Sequence, residues 1–341
     1  MDHKIAIVGA TGNVGREMLN ILYDKKFKSK NIFPVASSRS AGSKVDFGDE
    51  ELVVEDIENF DISKVSIALF SAGSSTSEKW APEFAKKNCI VIDNSSYFRM
   101  DDDIPLIVPE VNPEDLKNFK TRNIIANPNC STIQLVVALK PLHELSKIKS
   151  VIVSTYQSVS GAGKAAMDEL FDQTKNMFSD EIKDNVNFTK PIAFNVIPHI
   201  DKFGDDGYTK EETKMRQETN KILDKNIKFS ATCVRVPVFI GHSEAVNIEF
   251  ENKVSVEQAR QAIKNANGCT LLDEREDGGY VTPRESAGND DTYVSRIRED
   301  SAIKNGLSIW VVSDNLRKGA ALNAVQIAEL VISKYSSFLK I

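Results

Sequence analysis

Cys130 is the residue whose type and setting point most directly to chemistry. It follows an apolar run, Ile124–Ala126, and an Asn-Pro-Asn turn, and apolar residues at helical spacing come after it. A thiol at such a strand–turn–helix junction lies at a helix N-terminus, where the helix dipole favours the thiolate. A thiolate is the nucleophile that can take an acyl group from an activated acid. The segment alone leaves two interpretations, a nucleophile or a small apolar residue of the core.

A histidine suited to proton transfer lies in the second half of the chain. His242 follows Gly241, after an apolar run that begins at Arg235. Histidine is the side chain best suited to acid–base work near neutral pH, and the end of a strand can present it into a cleft. Taken alone, His242 fits a structural histidine equally well. The other histidines are interpreted as a terminal residue, a surface or helix C-terminal cation, and a structural residue: His3, His143 and His199.

The first predicted strand runs into a glycine-rich turn typical of dinucleotide binding. Residues 9–15 read Gly-Ala-Thr-Gly-Asn-Val-Gly and open the first predicted helix. Glycines there allow a tight turn and close approach of the backbone to a pyrophosphate. The second strand is followed by Ser37, Ser38, Arg39 and Ser40, with no carboxylate where an NAD site places one. Arg39 among hydroxyls suits a 2′-phosphate and favours NADP, unless Arg39 is only a solvated loop charge.

The order of the predicted elements indicates how these residues are positioned. Up to about residue 130 strands and helices alternate, which predicts a parallel, doubly wound sheet. Longer β-rich runs separated by helical patterns then predict an α+β domain with a mixed sheet. The predicted strands are 4–8, Ile32–Ala36, 65–70, 89–92, 105–108, 123–126, 149–156, 229–239, 245–251 and Gly306–Ser313. The predicted helices are 14–23, one from 131, 164–178, 210–225, Val256–Asn265 and 319–335, with an irregular segment over 179–207.

Composition excludes several classes of protein. The 341 residues suggest two domains, and 41% hydrophobic and 27% charged residues are ordinary for a globular chain. A net charge of −6 argues against a general binder of nucleic acid or membrane surfaces. No apolar run reaches the length of a membrane span, and the first residues show no signal-peptide core. The four cysteines have no Cys-x-x-Cys spacing, which predicts reduced thiols in a cytoplasm and no zinc site.

Taken together, the motifs resemble those of the aspartate-β-semialdehyde dehydrogenase family, in its compact bacterial form. The similarity lies in segments that occur in the family's order and spacing over nearly the whole chain: 9–15, 37–40, 127–132, 157–163, 211–214, 235–242 and 314–321. It implies an α/β fold with an N-terminal Rossmann-like doubly wound sheet and an α+β catalytic and dimerisation domain. The implied boundaries are 1–128 with the C-terminal helix 316–341 for the NADP-binding domain, and 129–315 for the catalytic domain.

The resemblance implies reversible, NADPH-dependent reductive dephosphorylation of L-4-aspartyl phosphate to L-aspartate 4-semialdehyde and phosphate. In the family this reaction serves the biosynthesis of lysine, diaminopimelate, threonine, methionine and isoleucine. Cys130 would form a thioester, His242 would transfer protons and Gln157 would orient the acyl-enzyme. Arg235 would bind the α-carboxylate of the substrate. The resemblance also implies a cytoplasmic homodimer or dimer of dimers and no metal.

Further roles follow from the resemblance alone. Phosphate would be bound by Arg99, Asn129 and Lys214, and the substrate ammonium by Glu211, with Glu212 as an alternative. Without the resemblance, Glu211 and Lys214 would be interpreted as an intrahelical ion pair, and Arg99 as a surface charge. The cofactor-binding residues would be Gly9, Thr11, Gly12, Asn13, Val14, Ser37, Arg39, Ser40, Thr76, Ser160, Gly161, Gly163 and Asn315.

Three other functions fit parts of the pattern. N-acetyl-glutamyl-phosphate reductase shares the chemistry, but its nucleophile motif usually reads Asn-Pro-Gly-Cys-Tyr, whereas this chain has Asn-Pro-Asn-Cys-Ser. Glyceraldehyde-3-phosphate dehydrogenase typically has Ser-Cys-Thr-Thr-Asn and an acidic residue after the second strand, and neither is present. A non-catalytic NADP-binding sensor would not need the four residues Cys130, Gln157, Arg235 and His242 together.

Overall fold

The computed structural model describes residues 3–177 and 186–339, and it divides into two compact units. The first unit is Met1–Asn129 with Ala320–Ile341, and the second is Cys130–Gly319. Parts of three predicted segments, the helix over 164–178, the irregular segment over 179–207 and the C-terminal helix 316–341, lie outside the described residues.

The first unit is built on a parallel six-stranded sheet. Its strands, in the order of the sheet, are β5, β2, β1, β6, β7 and β8. Chain reversal at β1 gives the doubly wound order, with a crevice at the switch point between β1 and β6. The strands are β1 Ile5–Val8, β2 Ile32–Ala36, β5 Glu55–Asp56, β6 Ile67–Phe70, β7 Ile90–Asp93 and β8 Ile124–Ala126, and a separate hairpin is formed by β3 Lys44–Phe47 and β4 Glu50–Val53.

Helices cover this sheet because each has one apolar face. The helices of the first unit are α1 Asn13–Asp24, α2 Ser74–Lys86 and α8 Leu322–Lys334. Met18 and Leu19 of α1 and Val325 and Ile327 of α8 are buried in the same core as Ile7 of β1. The C-terminal helix therefore completes the first unit, as burial of its apolar stripe requires.

The second unit contains a mixed six-stranded sheet in the order β10, β9, β11, β14, β13, β12. The pairs β10–β9 and β12–β13 are parallel and the other three are antiparallel. The strands are β9 Ile148–Gln157, β10 Lys228–Arg235, β11 His242–Phe250, β12 Cys269–Leu271, β13 Thr292–Glu299 and β14 Gly306–Ser313. The helices are α3 Cys130–Leu145, α4 Lys164–Asn176, α5 Lys210–Ile222, α6 Val256–Asn265 and α7 Pro283–Ser286, and a π-helical turn Arg317–Ala321 precedes α8.

The predicted fold class is confirmed, but two predicted strands are wrong in extent. Residues 105–108 form only an isolated bridge, Leu106 to Ala126, because prolines at 105 and 109 remove ladder donors on both sides. The strand predicted over 229–239 ends at Arg235, since Pro237 cannot continue the ladder. The prediction missed the hairpin β3–β4, helix α2 and strand β13 altogether.

No described helix is long and apolar enough to cross a membrane.

Candidate active site

Cys130 is the first residue of α3, as the sequence pattern predicts. Its side chain is half-buried rather than sealed in the core. The helix begins at the thiol, so the free N–H groups and positive dipole end of α3 stabilise a thiolate there. Cys130 also lies close enough to Arg235 for its charge to raise the pKa of that guanidinium. A cation near the sulfur stabilises the thiolate further, in addition to the N-terminus of α3.

His242 opens β11 and is fully buried. Its Nδ1 accepts the backbone N–H of Ser158 over 3.0 Å. Because that lone pair is occupied, the proton of the neutral imidazole resides on Nε2. Burial, followed by the nearby charge of Arg235, lowers the pKa of His242 to about 3. Nε2 has no hydrogen-bond partner among the described residues, so it is available as a donor.

Gln157 ends β9 with its amide held at both atoms. Its Oε1 accepts the hydroxyl of Thr155 over 2.9 Å, and its Nε2 donates to Glu211 Oε1 over 3.0 Å. The two contacts assign the orientation of the amide, which is almost fully buried. Gln157, predicted to orient the acyl-enzyme, is thus hydrogen-bonded to Glu211, predicted to bind the substrate ammonium.

Arg235 ends β10 beside Gln157, its parallel partner in the sheet. The guanidinium is 6% exposed and donates from Nη1 to the carbonyl of Ser158 over 2.6 Å. Burial lowers the pKa of Arg235, and the Glu211 carboxylate opposes that shift. A buried guanidinium near one carboxylate can bind a second, incoming carboxylate in bidentate fashion.

Glu211 and Glu212 have different environments in the first turn of α5. Glu212 closes a capping box by accepting the backbone N–H of Thr209 over 2.7 Å, and it also accepts the backbone N–H of Cys233 over 3.0 Å. Glu211 contacts Gln157 and accepts a hydrogen bond from Lys214 over 3.3 Å. Glu212 is therefore committed to the backbone, whereas Glu211 belongs to the cluster of polar side chains.

The loop after β9 contacts both His242 and Arg235. A Cβ at Gly161 would lie 3.3 Å from Arg235 Nη1 and 3.3 Å from His242 Nε2, tighter than most real contacts, so any larger residue would press on both groups. Asn315 organises the loop: its Oδ1 accepts the backbone N–H of Gly241 over 2.9 Å and the hydroxyls of Ser158 and Ser160 over 3.0 and 3.1 Å. The Asn315 amide, predicted to contact nicotinamide, is thus engaged within the protein.

A cavity of about 620 Å³ opens in the first unit at the switch point of the parallel sheet. Seven predicted cofactor residues line it: Gly9, Thr11, Gly12, Ser37, Arg39, Ser40 and Thr76. Gly9 has φ of 91°, and a Cβ there would lie 2.5 Å from the carbonyl oxygen of Ser71, so only glycine fits this turn. Asn13 and Val14 do not line the cavity, and Val14 packs against the core.

Other residues that line this cavity were not predicted from the sequence. Trp80 and Lys79 of α2 line it with Glu58, and Lys79 pairs with Glu58 over 2.8 Å. The Lys79 ammonium lies 4.7 Å from the Trp80 ring centroid. They were missed because helix α2 was not predicted. The run of small residues 71–76, which joins β6 to this helix, was the available signal in the sequence.

Two further predicted site residues, Arg99 and Asn129, are in the first unit, whereas Gly163 precedes α4 in the second unit. Arg99 is buried, and it donates from Nε to the carbonyl of Asn127 and from Nη2 to that of Asn94, each over 2.9 Å. It is therefore not a solvated loop charge. Asn129 is also buried. The described residues contain no group of three or more metal-ligating side chains.

Comparison with known proteins gives matches over nearly the whole chain. The family described as "Semialdehyde dehydrogenase, NAD binding domain" matches residues 4–119, and "Semialdehyde dehydrogenase, dimerisation domain" matches residues 139–318. An aspartate-semialdehyde dehydrogenase of Aquifex aeolicus (strain VF5) is 53% identical over 337 residues, which cover 98% of this chain and 99% of the relative.

Two solved structures carry additional information about their own ligands. Aspartate semialdehyde dehydrogenase II from Vibrio cholerae, complexed with ASA, matches with a TM-score of 0.95 at 49% identity, covering 98% of this chain and 99% of that one. The enzyme from Candida albicans with NADP matches with a TM-score of 0.76 at 25% identity, covering 99% of this chain and 100% of that one.

Proposed function

The chain belongs to the aspartate-semialdehyde dehydrogenase family, and we propose that it reduces L-4-aspartyl phosphate to L-aspartate 4-semialdehyde with NADPH, reversibly and with release of phosphate. The observation that carries this proposal is the hydrogen-bonded cluster of the second unit. Gln157, Arg235 and His242 are joined there through Glu211 and the backbone of Ser158, with Cys130 at the start of α3 near Arg235. The reaction supplies the biosynthesis of lysine, diaminopimelate, threonine, methionine and isoleucine.

We assign NADP rather than NAD to the first-unit cavity. Arg39, Ser37, Ser40 and Thr76 together offer a guanidinium and hydroxyls of the kind that bind a 2′-phosphate. The carboxylate of Glu58 also lines the cavity, but Lys79 neutralises it. The NADP bound by the relative from Candida albicans supports the same choice. Gly9, Thr11 and Gly12 would contact the pyrophosphate through the turn before α1, and Asn13 and Val14 remain proposals from the family resemblance.

Cys130 begins the chemistry in the reductive direction. Its thiolate attacks the acyl carbon of the aspartyl phosphate, the bond from carbon to the phosphate oxygen breaks, and a thioester and free phosphate result. The backbone N–H groups at the start of α3 can stabilise the developing oxyanion. Gln157, fixed by Thr155 and Glu211, would hold the acyl group in place. Bound NADPH supplies the hydride that reduces the thioester carbonyl.

His242 is best suited to donate a hydrogen bond during this sequence. Its neutral form carries the proton on Nε2 because Ser158 occupies Nδ1. Nε2–H can stabilise the oxyanion of the tetrahedral intermediate in both directions of the reaction, and that intermediate collapses to the aldehyde and the Cys130 thiolate without a proton from the ring. Its low pKa keeps it from accumulating as an imidazolium near neutral pH.

The substrate's charged groups have complementary partners. We assign the α-carboxylate to Arg235, the sheet partner of Gln157, and the ammonium to Glu211, the hydrogen-bond partner of the Gln157 side chain. Lys214, bound to Asp201 over 2.7 Å and to Glu211, would interact with phosphate from the second unit. Arg99 and Asn129 of the first unit are proposed for phosphate from the resemblance. Ser160, Gly161, Gly163 and Asn315 are proposed for the nicotinamide side.

We also propose the domain roles and the assembly. Residues 1–128 with 316–341 would bind NADP, and 129–315 would supply catalysis and dimerisation. The dimerisation-domain match over 139–318 supports a homodimer or a dimer of dimers. The scattered cysteines support a cytoplasmic location.

One assay tests the reaction against its alternatives. Purified protein is given aspartate semialdehyde, phosphate and NADP, and NADPH formation is followed by absorbance. We expect turnover that requires phosphate and that falls sharply when NAD replaces NADP. Turnover only with the N-acetyl-glutamate analogue would instead identify N-acetyl-glutamyl-phosphate reductase. NADP binding without turnover of either aldehyde would identify a non-catalytic sensor.

A further inference from the structure

A second pair of polar side chains follows the catalytic pair along the same two elements. Gln134 is four residues after Cys130 on α3, which places both on one face of that helix. Glu244 is two residues after His242 on β11, which places both on one face of that strand. Gln134 donates from Nε2 to the backbone carbonyl of His242 over 3.4 Å. The nucleophile's helix and the histidine's strand are therefore linked at His242 itself.

Glu244 is unusual because it is fully buried without hydrogen bonds. Neither of its carboxyl oxygens, nor Oε1 of Gln134, has a hydrogen-bond partner within the described residues. An uncompensated buried charge would be very costly, so the carboxyl is neutral here. Burial raises the pKa of Glu244 well above its ordinary range, and Gln134 is the group that opposes this shift.

Within the part of the chain that the structure describes, no cation counteracts the effect of burial on the pKa of Glu244. Its partners across the sheet are Thr155 on β9 and Val311 on β14, and Gln134 faces it from α3. Cys233 on β10 is a further titratable group near Glu244, and burial raises the pKa of its thiol. A neutral carboxyl has one O–H donor, and Gln134 Oε1 is a buried acceptor that needs one.

We propose that Glu244, as a neutral carboxylic acid, and Gln134 form a positioning pair that sets the register of α3 against β11, and so of Cys130 against His242. The Glu244 O–H donates to Gln134 Oε1, which orients that amide so that its Nε2 donates to the His242 carbonyl. The inference rests on the proposed function only in its purpose, which is to place Cys130 and His242 for catalysis. The contact between Glu244 and Gln134, and its effect on the position of the thiol, do not depend on that function.

A buried polar pair of this kind lowers the stability of the folded chain and in return fixes the position of the reacting groups. Replacing buried polar partners by apolar residues of similar volume is often neutral or stabilising. A displacement of about 1 Å between reacting groups can lower a rate by about 100-fold. If the pair positions the site, apolar replacement should therefore reduce reactivity without reducing stability.

The experiment compares four proteins: wild type, Glu244→Gln, Gln134→Met, and the double variant Gln134→Leu with Glu244→Met. The readout is the pH dependence of iodoacetamide alkylation at the Cys130 peptide, followed by mass spectrometry, which needs no substrate. Thermal midpoints and NADP affinity report folding of each variant, and kcat and KM are measured where turnover exists.

We expect Glu244→Gln to match wild type in its alkylation profile and in kcat, because a glutamine Nε2 can also donate to Gln134 Oε1. We expect Gln134→Met and the double variant to raise the apparent pKa of Cys130 and to lower kcat by about 10-fold or more, with NADP affinity unchanged. A double variant with a wild-type alkylation profile would reduce the pair to packing and overturn the proposal. A loss in Glu244→Gln equal to that of the double variant would show that the carboxyl acts as a charge, which also overturns it. Alkylation of Cys130 needs neither substrate nor turnover. An inactive wild type would therefore refute only the proposed function.

Discussion

Ser158 donates its backbone N–H to His242 Nδ1 over 3.0 Å, and this contact determines the chemistry available to the ring. A backbone N–H can only donate, so Nδ1 cannot carry a proton without losing the bond. The imidazole is therefore neutral with its proton on Nε2, in agreement with a pKa lowered to about 3. His242 therefore serves the reductive direction as a hydrogen-bond donor.

The first prediction concerns the pH profile. Because His242 stays neutral, kcat/KM should show no inflection near the ordinary histidine value of 6.5. Replacement His242→Gln keeps an N–H near the Nε2 position, so we expect kcat to fall only about 10-fold, whereas His242→Ala removes the donor and should lower kcat by about 100-fold or more. An inflection near 6.5 in wild type that vanishes in His242→Gln would show that the imidazolium does form.

Replacement of the nucleophile gives the second prediction. Cys130→Ser should lose at least about 1,000-fold in kcat, because a serine at a helix N-terminus without a strong base is a poor nucleophile. NADP affinity, measured by fluorescence titration, should not change. Cys269→Ser is the matched control, since Cys269 is also half-buried in the second unit and donates to the Val137 carbonyl. Near-normal turnover in Cys130→Ser would remove Cys130 from the mechanism.

Cofactor choice gives the third prediction. Arg39→Asp should weaken NADP binding by about 10- to 100-fold, because a hydrogen-bonded charge pair is lost. NAD binding should change much less, since NAD has no 2′-phosphate. Lys30→Asp makes the same charge change at a residue that does not line the cavity. Equal losses for NADP and NAD would count against the Arg39 assignment.

Local patterns were enough to predict part of this site. Cys130 and the turn at Gly9 are recognisable because a strand–turn–helix junction is a feature of neighbouring residues. The contact from Gln157 to Glu211 joins residues 54 apart, and the tautomer of His242 depends on Ser158, 84 residues away. No periodicity encodes such contacts, since they exist only after the sheet has formed.

The same distinction applies to the fold. Alternating strands and helices predict the parallel sheet, whereas the position at which a strand ends depends on individual backbone N–H donors. The strand predicted over 229–239 stops at Arg235 because of one proline. Helix α2 escaped prediction because it contains Pro82 and begins in a run of small polar residues. Its Trp80 and Lys79 were consequently missed as cavity residues.

The close approach at Gly161 gives the fourth prediction. A methyl group there would press on Arg235 Nη1 and His242 Nε2, each 3.3 Å from the added Cβ. We expect Gly161→Ala to lower kcat/KM for aspartate semialdehyde by about 10-fold, and Gly161→Val to lower it further, because both groups must shift. Thermal midpoints should change little, since the clash involves a loop. An unchanged kcat/KM in both variants would show that neither group is needed in its present position.

The last prediction uses the neutral carboxyl of Glu244. Its pKa is raised by burial, so above the ordinary value of 4.5 the unfolded chain releases a proton that the folded chain retains. The free energy of unfolding therefore declines as pH rises past that value. Glu244→Gln removes this decline, so its gain in thermal midpoint over wild type should be near zero at about pH 4 and should grow towards neutral pH.

Glu249 on the same strand provides a control of opposite sign. It is half-buried, and hydrogen bonds from Lys149 and Ser150 lower its pKa. Its contribution to stability is present at neutral pH and is lost as pH falls, so Glu249→Gln should cost a little stability at neutral pH and nothing in acid. Thermal denaturation of both variants over a pH series measures the two trends in one experiment. If the Glu244→Gln gain were constant with pH, or largest in acid, Glu244 would have to be ionised in the folded chain, and the neutral carboxyl that the positioning pair requires would be absent.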